Sequence, residues 1–229
     1  MDRRRWRGGR GSVTPSTPPL SADALRILEA QLSRMRAMLY RYYDLFFRFV
    51  TGSLVALGAL FVLSFWAPTQ VAAVLLPFAI LYVGFHAANL FSYVVFARTY
   101  AAALERRINR ELGAEILVAH RLEEIYFGAP GDPKLVAASL RRPLTMLAAE
   151  TWHFTIAGAA FFVVGTLVGN VTVTRIGEPW STFYLPVVVG WALLNGAYLA
   201  WYFIGGRDQH AIEAVLRDAY EPDRRTSPD

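Results

Sequence analysis

The sequence predicts an all-α integral membrane protein: a four-transmembrane-helix bundle with helical cytoplasmic extensions. Three observations lead to this prediction. Four long segments contain no Asp, Glu, Lys or Arg, although 18% of the 229 residues are charged. Each segment is long enough to cross about 30 Å of hydrocarbon as a helix that rises 1.5 Å per residue. The basic residues lie almost entirely on one side of these segments, which is typical of multi-pass membrane proteins.

The four predicted spans cover approximately residues 49–66, 71–97, 154–174 and 183–206. Only four residues separate the first span from the second, so these two spans must form an antiparallel hairpin. The three longer segments outside the spans contain 22 of the 23 basic residues, and Arg175 is the exception. These segments, with both termini, are therefore predicted to be cytoplasmic. The strong preference for Arg over Lys is typical of a GC-rich bacterial genome, which suggests a bacterial inner (cell) membrane.

The first cytoplasmic segment begins with residues 1–20, a basic tail rich in Arg, Gly, Ser and Pro that is expected to be disordered. Ser21 is then predicted to cap an amphipathic helix with Asp23 in its first turn. The second span is expected to continue as a helix to Leu112, where Gly113 marks a break. The remaining predicted elements are a helical piece to residue 127, a Pro/Gly-rich loop at 128–133, short helices near 134–150 and 207–220, and a disordered tail at 221–229.

The chain also shows signs of an internal duplication. A shift of 109 residues places the second span on the fourth and aligns Pro77 with Pro186, Tyr93 with Tyr202, and His86 with Asn195. The two units would be residues 21–127 and 134–220, each with the order helix, span, span, helix. Two copies of a unit with an even number of spans have the same orientation, so the repeats would be parallel. Chance similarity between apolar helices is the alternative.

A stripe of polar and aromatic side chains follows one face of the second span and recurs at the same spacing on the fourth. Its members are Tyr82, His86, Asn89 and Tyr93 on the second span, and Trp191, Asn195, Tyr198 and Tyr202 on the fourth. Polar groups within a membrane are costly without a partner, so these faces should point into the bundle or a subunit interface. We expect His86 and Asn195 to approach within hydrogen-bonding distance. Structural hydrogen bonding between helices is favoured over a proton, ion or ligand site.

Small residues dominate the first and third spans and predict close helix packing. Gly52 and Gly58 lie in the first span, and Gly165 and Gly169 form a Gly-x-x-x-Gly pair in the third. Such residues allow two helix backbones to approach closely. The pattern fits packing within one monomer as well as dimerisation.

No metal or cofactor site is predicted. The chain contains no Cys, which excludes Cys-ligated zinc and iron–sulfur sites. Glu150 and His153 have the spacing of half a carboxylate-bridged di-iron site, but the second half is missing, because His120 and Glu123 occur in the reverse order. A single membrane histidine is too little for bis-histidine haem ligation.

The expected function is therefore a non-enzymatic, membrane-embedded interaction or assembly subunit, oligomeric or part of a larger membrane complex. The alternative is a homo-oligomeric ion or proton channel lined by the stripe of the second or fourth span. The net charge of +5 is expected to serve contact with anionic lipid at the cytoplasmic face and not nucleic-acid binding.

Overall fold

The computed structural model describes residues 21–66, 69–127, 146–203 and 207–220, apart from the side chains of 126, 127, 146–151, 203 and 207–209. Within these ranges the chain is helical and has no strand, and four helices are long and apolar enough to span a membrane. The predicted tails, the 128–133 loop and most of the 134–150 helix lie outside the described residues. The helices are α1 (Ala22–Leu63), α2 (Ala72–Leu112), α3 (Ala119–Phe127), α4 (Met146–Ile176), α5 (Trp180–Phe203) and α6 (Arg207–Tyr220).

Helices α1 and α2 are each one continuous helix that contains a predicted span and also a segment outside it. The predicted cap of α1 is confirmed, because Ser21 Oγ accepts a hydrogen bond from the backbone N–H of Ala24 at 3.2 Å. The predicted end of α2 is also confirmed, since Gly113 follows Leu112 with a φ of 63°, a conformation that Gly adopts without strain. With about 40 residues each, both helices extend well beyond the length of a single span. We call residues 22–48 of α1, residues 98–112 of α2, α3 and α6 the basic layer.

Helix α2 is the central element of the described fold and contacts each of the other five helices. Its buried side chains run from Ala73 near one end to Asn109 near the other. The segment Ala101–Glu105 is buried at every position, although it lies beyond the predicted span. The best-packed part of the described chain is thus in the basic layer, where α1, α3 and α6 surround α2.

Helix α4 packs closely against α2 and α5 through its glycines. A Cβ atom added to Gly165 would lie 2.9 Å from Leu76 Cβ, and one added to Gly169 would lie 3.0 Å from the backbone oxygen of Ala73. Beside this contact, Tyr184 and Val188 of α5 pack with Val173 of α4 in a small apolar cluster.

The glycines of α1 lie in a different environment. A Cβ atom on Gly52 or Gly58 would meet no described atom within 4 Å. The structure therefore places close backbone approach at the α4 glycines and leaves open space beside those of α1.

Two further features relate the two halves of the chain. At the end of the bundle opposite the basic layer, Arg175 donates a hydrogen bond to Gln70 Oε1 at 3.0 Å and links α4 to the α1–α2 connection. Pro77 and Pro186, aligned by the proposed duplication, both lie inside their helices. The duplication itself stays a prediction.

Candidate functional site

The polar stripe of α2 faces several directions at once. The His86 ring packs against the Phe49 ring of α1 with centroids 4.7 Å apart, and Tyr93 stacks on Tyr42 of α1 at 4.7 Å. Tyr82 is 62% exposed. Asn89 is also exposed and borders a cavity. Tyr93 is 41% exposed as well. The stripe therefore contacts α1 along part of its length and leaves three polar side chains accessible.

The stripe of α5 combines one buried residue with several exposed ones. Asn195 is buried, and its Nδ2 donates a hydrogen bond to the backbone oxygen of Trp191 at 2.8 Å. Tyr198 packs against Phe85 of α2 with ring centroids 5.3 Å apart and stacks on Tyr202. Trp191 and Tyr198 are each more than 40% exposed.

The expected hydrogen bond between His86 and Asn195 is not formed among the described residues. His86 lies against Phe49, and Asn195 is satisfied by a carbonyl of its own helix. Matched depth along two helices does not fix the direction of each side chain, which depends on how the helices rotate when they pack. The second and fourth spans do meet, through the ring contact of Phe85 with Tyr198.

A cavity of about 450 Å³ lies between α2 and α5, where these helices approach the basic layer. We call it the α2–α5 cavity. Helix α1 contributes Met38 to its wall and α6 contributes Ile212. The other lining residues are Phe85, Ala88, Asn89, Ser92, Tyr93, Phe96, Tyr198, Leu199 and Tyr202. Half of the predicted stripe residues thus line a single cavity.

Three polar groups of this cavity have no hydrogen-bond partner among the residues that the structure describes. The Ser92 hydroxyl donates to the backbone oxygen of Asn89 at 2.7 Å. The Asn89 amide and the hydroxyls of Tyr93 and Tyr198 form no hydrogen bond with any other described residue. The described lining residues include no acidic or basic side chain. The cavity therefore offers neutral donors and acceptors between aromatic walls.

A second polar site, which we call the ionic cluster, joins three helices in the basic layer. Arg36 of α1 forms ion pairs with Glu105 of α2 and Glu123 of α3. The backbone N–H of His120 donates to Glu105 Oε2 at 2.9 Å, and His120 Nδ1 lies 3.1 Å from the same oxygen. Arg98 Nε lies 3.5 Å from Glu123 Oε2. The cluster fixes α1 and α3 against the end of α2.

The charges of Arg36 and Glu105, the central pair of the ionic cluster, are both stabilised by neighbouring groups. Burial by itself would raise the pKa of Glu105, but hydrogen bonds from Arg36 and His120 and the Arg36 charge outweigh it and hold the pKa below its ordinary value. Burial would likewise lower the pKa of Arg36, yet the two carboxylates raise it. For Arg98 burial dominates and lowers the pKa. Glu105 and Arg36 therefore remain charged at neutral pH.

The loop before α3 is held by one buried side chain, Asn109. Its Nδ2 donates to the backbone oxygen of Leu117 at 2.7 Å, and its Oδ1 accepts from the backbone N–H of Leu117 at 2.8 Å and of Ile116 at 3.1 Å. Together with the turn at Gly113, these bonds direct α3 back along α2. Helix α6 is tied to the same helix, because Arg110 donates to the backbone oxygen of Tyr220 at 2.5 Å.

Helix α3 has its polar face inside and its apolar face outside. The inner face carries His120 and Glu123, which join the ionic cluster. On the outer face, Leu122 is 57% exposed and Ile125 is 64% exposed, and Ile116 in the preceding loop is 64% exposed. We call these three residues the α3 apolar patch.

Sequence reasoning missed the ionic cluster. The sequence pattern placed His120 and Glu123 only against the ligand order of a di-iron site, and it predicted no individual role for Arg36 or Glu105. The available signal was the Glu105 carboxylate at the end of the Ala- and Leu-rich stretch Ala101–Glu105 of α2, where a charge directly follows four apolar residues. For the half di-iron motif, the Glu150 side chain lies outside the described residues, and the His153 ring packs against Phe154.

Comparison of the chain with protein-family models, with curated proteins and with solved structures gives no match.

Proposed function

We propose that this protein is a non-enzymatic subunit of a membrane complex that crosses the cell membrane four times, with both termini cytoplasmic, and assembles through the α3 apolar patch. The four long apolar helices support the membrane placement. The bias of basic residues supports the orientation. The exposed apolar face of α3 is the observation that carries the assembly role.

An exposed apolar face on α3 is unusual for a helix outside the predicted spans. Amphipathic helices ordinarily turn their apolar side chains toward the core, because burial contributes about 25 cal/mol per Å² of apolar surface. Here the inner face is committed to the ionic cluster, so Leu122 and Ile125 point outward. Exposed apolar patches rimmed by polar residues commonly mark protein interaction sites, and Arg121 and Glu124 flank this one in sequence. The partner that fits is a protein surface with its own apolar side chains, in a second copy or another membrane protein.

A Cys substitution at Leu122 tests this assembly role directly, because the chain has no native Cys. In native membranes, a bifunctional maleimide should cross-link Leu122→Cys into a higher-mass species, twice 25.6 kDa if the partner is a second copy. Arg26→Cys, at an exposed position near the start of α1, is the matched control and should not be cross-linked, because it lies outside the α3 apolar patch. A Leu122→Ser/Ile125→Ser variant should lose the complex yet keep its fold, since both side chains are exposed.

Failure of Leu122→Cys and Ile125→Cys to cross-link, with native mass unchanged in the double Ser variant, would reject the patch as the interface. A ring of subunits with a central gap in particle images would instead favour the channel alternative. Exposed Tyr82 and Asn89 are the observation compatible with such a pore. Ion flux in liposomes that is unchanged in Asn89→Leu would exclude a pore lined by α2.

The proposed orientation predicts a simple labelling pattern. Cys at Thr69, in the α1–α2 connection, or at Ser181, in the first turn of α5, should react with a membrane-impermeant maleimide in intact cells, because both positions lie at the end of the bundle away from the basic layer. Cys at Glu29, an exposed position in the basic layer, should react only after lysis. Labelling of Glu29→Cys in sealed cells would contradict a cytoplasmic N-terminus.

A further inference from the structure

The α2–α5 cavity lies at a defined depth along the second span. Asn89 is 17 residues beyond Ala72, the first residue of α2, and Tyr93 is 21 residues beyond it. At 1.5 Å per residue these distances are about 25 Å and about 31 Å. With Ala72 taken as the start of the hydrocarbon core, a core of about 30 Å ends between the two residues on the side of the basic layer. This placement rests on the four-span arrangement proposed above. Ester and glycerol groups of lipids lie at this depth.

The chemistry of the cavity matches that depth. The Asn89 amide offers a donor and an acceptor, and the Tyr93 and Tyr198 hydroxyls offer one more donor each. None of the three is bonded to another described residue. In a bilayer, an unpaired polar group at this level costs free energy unless a ligand or water satisfies it. The rings of Phe85 and Phe96 supply apolar walls beside these groups.

We propose that the α2–α5 cavity binds the glycerol and ester groups of an uncharged glycerolipid of the diacylglycerol type. The free hydroxyl and ester oxygens meet Asn89, Tyr93 and Tyr198, and the acyl chains lie along Phe85 toward the bilayer centre. A volume of about 450 Å³ falls within the usual range of small-ligand pockets. It holds the glycerol, both ester groups and the first methylenes.

The lining excludes a charged headgroup as the recognised element. A phosphate taken out of water needs paired cations or several charge-assisted hydrogen bonds. The described residues that line the cavity include no Lys, Arg or His. Arg36 and Arg98 of the basic layer are committed to carboxylates of the ionic cluster. An anionic phospholipid would therefore place its phosphate outside the cavity, and its headgroup would contribute little to the binding free energy.

Binding is measured by native mass spectrometry of the delipidated full chain in detergent, titrated with dioleoylglycerol or with phosphatidylglycerol. The chain should bind dioleoylglycerol at least tenfold more tightly than phosphatidylglycerol. Asn89→Leu and Tyr198→Phe should each weaken dioleoylglycerol binding about fivefold to tenfold, which corresponds to one lost hydrogen bond. Tyr82→Phe is the control, because Tyr82 belongs to the same stripe but does not line the cavity, and it should bind as the unaltered chain does.

Three results would overturn the proposal: equal binding of both lipids, equal binding by Asn89→Leu and Tyr82→Phe, or no binding. Either of the first two results would show that the chain binds lipid only as annular lipid and not in the cavity. Circular dichroism and a thermal melt on each variant exclude unfolding as the cause of weaker binding. If Asn89→Leu does not fold, Tyr198→Phe still tests the proposal, because it removes a single oxygen atom. Membrane placement is checked separately by extraction with alkaline carbonate. Release of the chain by carbonate would refute the proposed function, whereas loss of lipid selectivity in a carbonate-resistant chain refutes only the cavity proposal.

Discussion

Replacement of Arg36 by Met is expected to lower the free energy of unfolding by about 3–5 kcal/mol, the cost of leaving buried charges without their partner. Arg36 is the cation that pairs with both Glu105 and Glu123, whose side chains are 3% and 18% exposed. The variant keeps a long side chain but leaves Glu105 without its arginine and Glu123 with Arg98 alone. The measurement is denaturant-induced unfolding of the purified protein in detergent micelles, followed by circular dichroism.

The control for this prediction is Arg48→Met. Arg48 pairs with Asp44 on the surface of α1, and the two side chains are 77% and 59% exposed. Exposed pairs contribute little, so this variant should stay within about 1 kcal/mol of the unaltered chain. Replacing Glu105 and Glu123 by Gln in the Arg36→Met background should recover part of the loss, because it removes the uncompensated charge. Equal stability of the Arg36→Met and Arg48→Met variants would show that the cluster does not hold the basic layer together.

The second large effect is expected at Gly169, where Ala should destabilise the bundle by about 1–3 kcal/mol through overpacking. The added Cβ would lie 2.9 Å from Tyr184 Cζ and 3.0 Å from the backbone oxygen of Ala73. The Tyr184 ring can move only by disturbing its cluster with Val173 and Val188. The Ala73 backbone can move away only if α2 and α4 separate. Thermal unfolding in detergent, with intrinsic tryptophan fluorescence as the signal, measures the loss.

Gly58→Ala is the matched control, since it makes the same change in the α1 span. No described atom lies within 4 Å of the added Cβ, and the gain in helix propensity from Gly to Ala is at most about 1 kcal/mol. We expect a neutral or slightly stabilising effect. Destabilisation by Gly58→Ala in the assembled complex, but not in the monomer, would identify α1 as a contact between subunits. Loss of stability from Gly58→Ala in the monomer would contradict the open space that the structure shows beside the α1 glycines.

The sequence by itself determined the features whose cause is local. The absence of charge over four long segments predicted the four long apolar helices, because a hydrophobic run needs no partner to be recognised. The start of α1 and the end of α2 were also predictable, because their causes are local in sequence. A capping Ser21 and a Gly113 at positive φ act within one helical turn of their own positions.

Only the tertiary structure decided which faces meet. His86 packs on Phe49 and not on Asn195, because helix rotation is set by the packing of whole surfaces and not by depth along one helix. The ionic cluster joins residues that lie 69 and 87 positions apart, so no short pattern in the sequence contains it. The same cluster sets the orientation of α3. Its polar face lies inside, because the ion pairs and hydrogen bonds with α1 and α2 outweigh the free energy that burial of its apolar side chains would contribute.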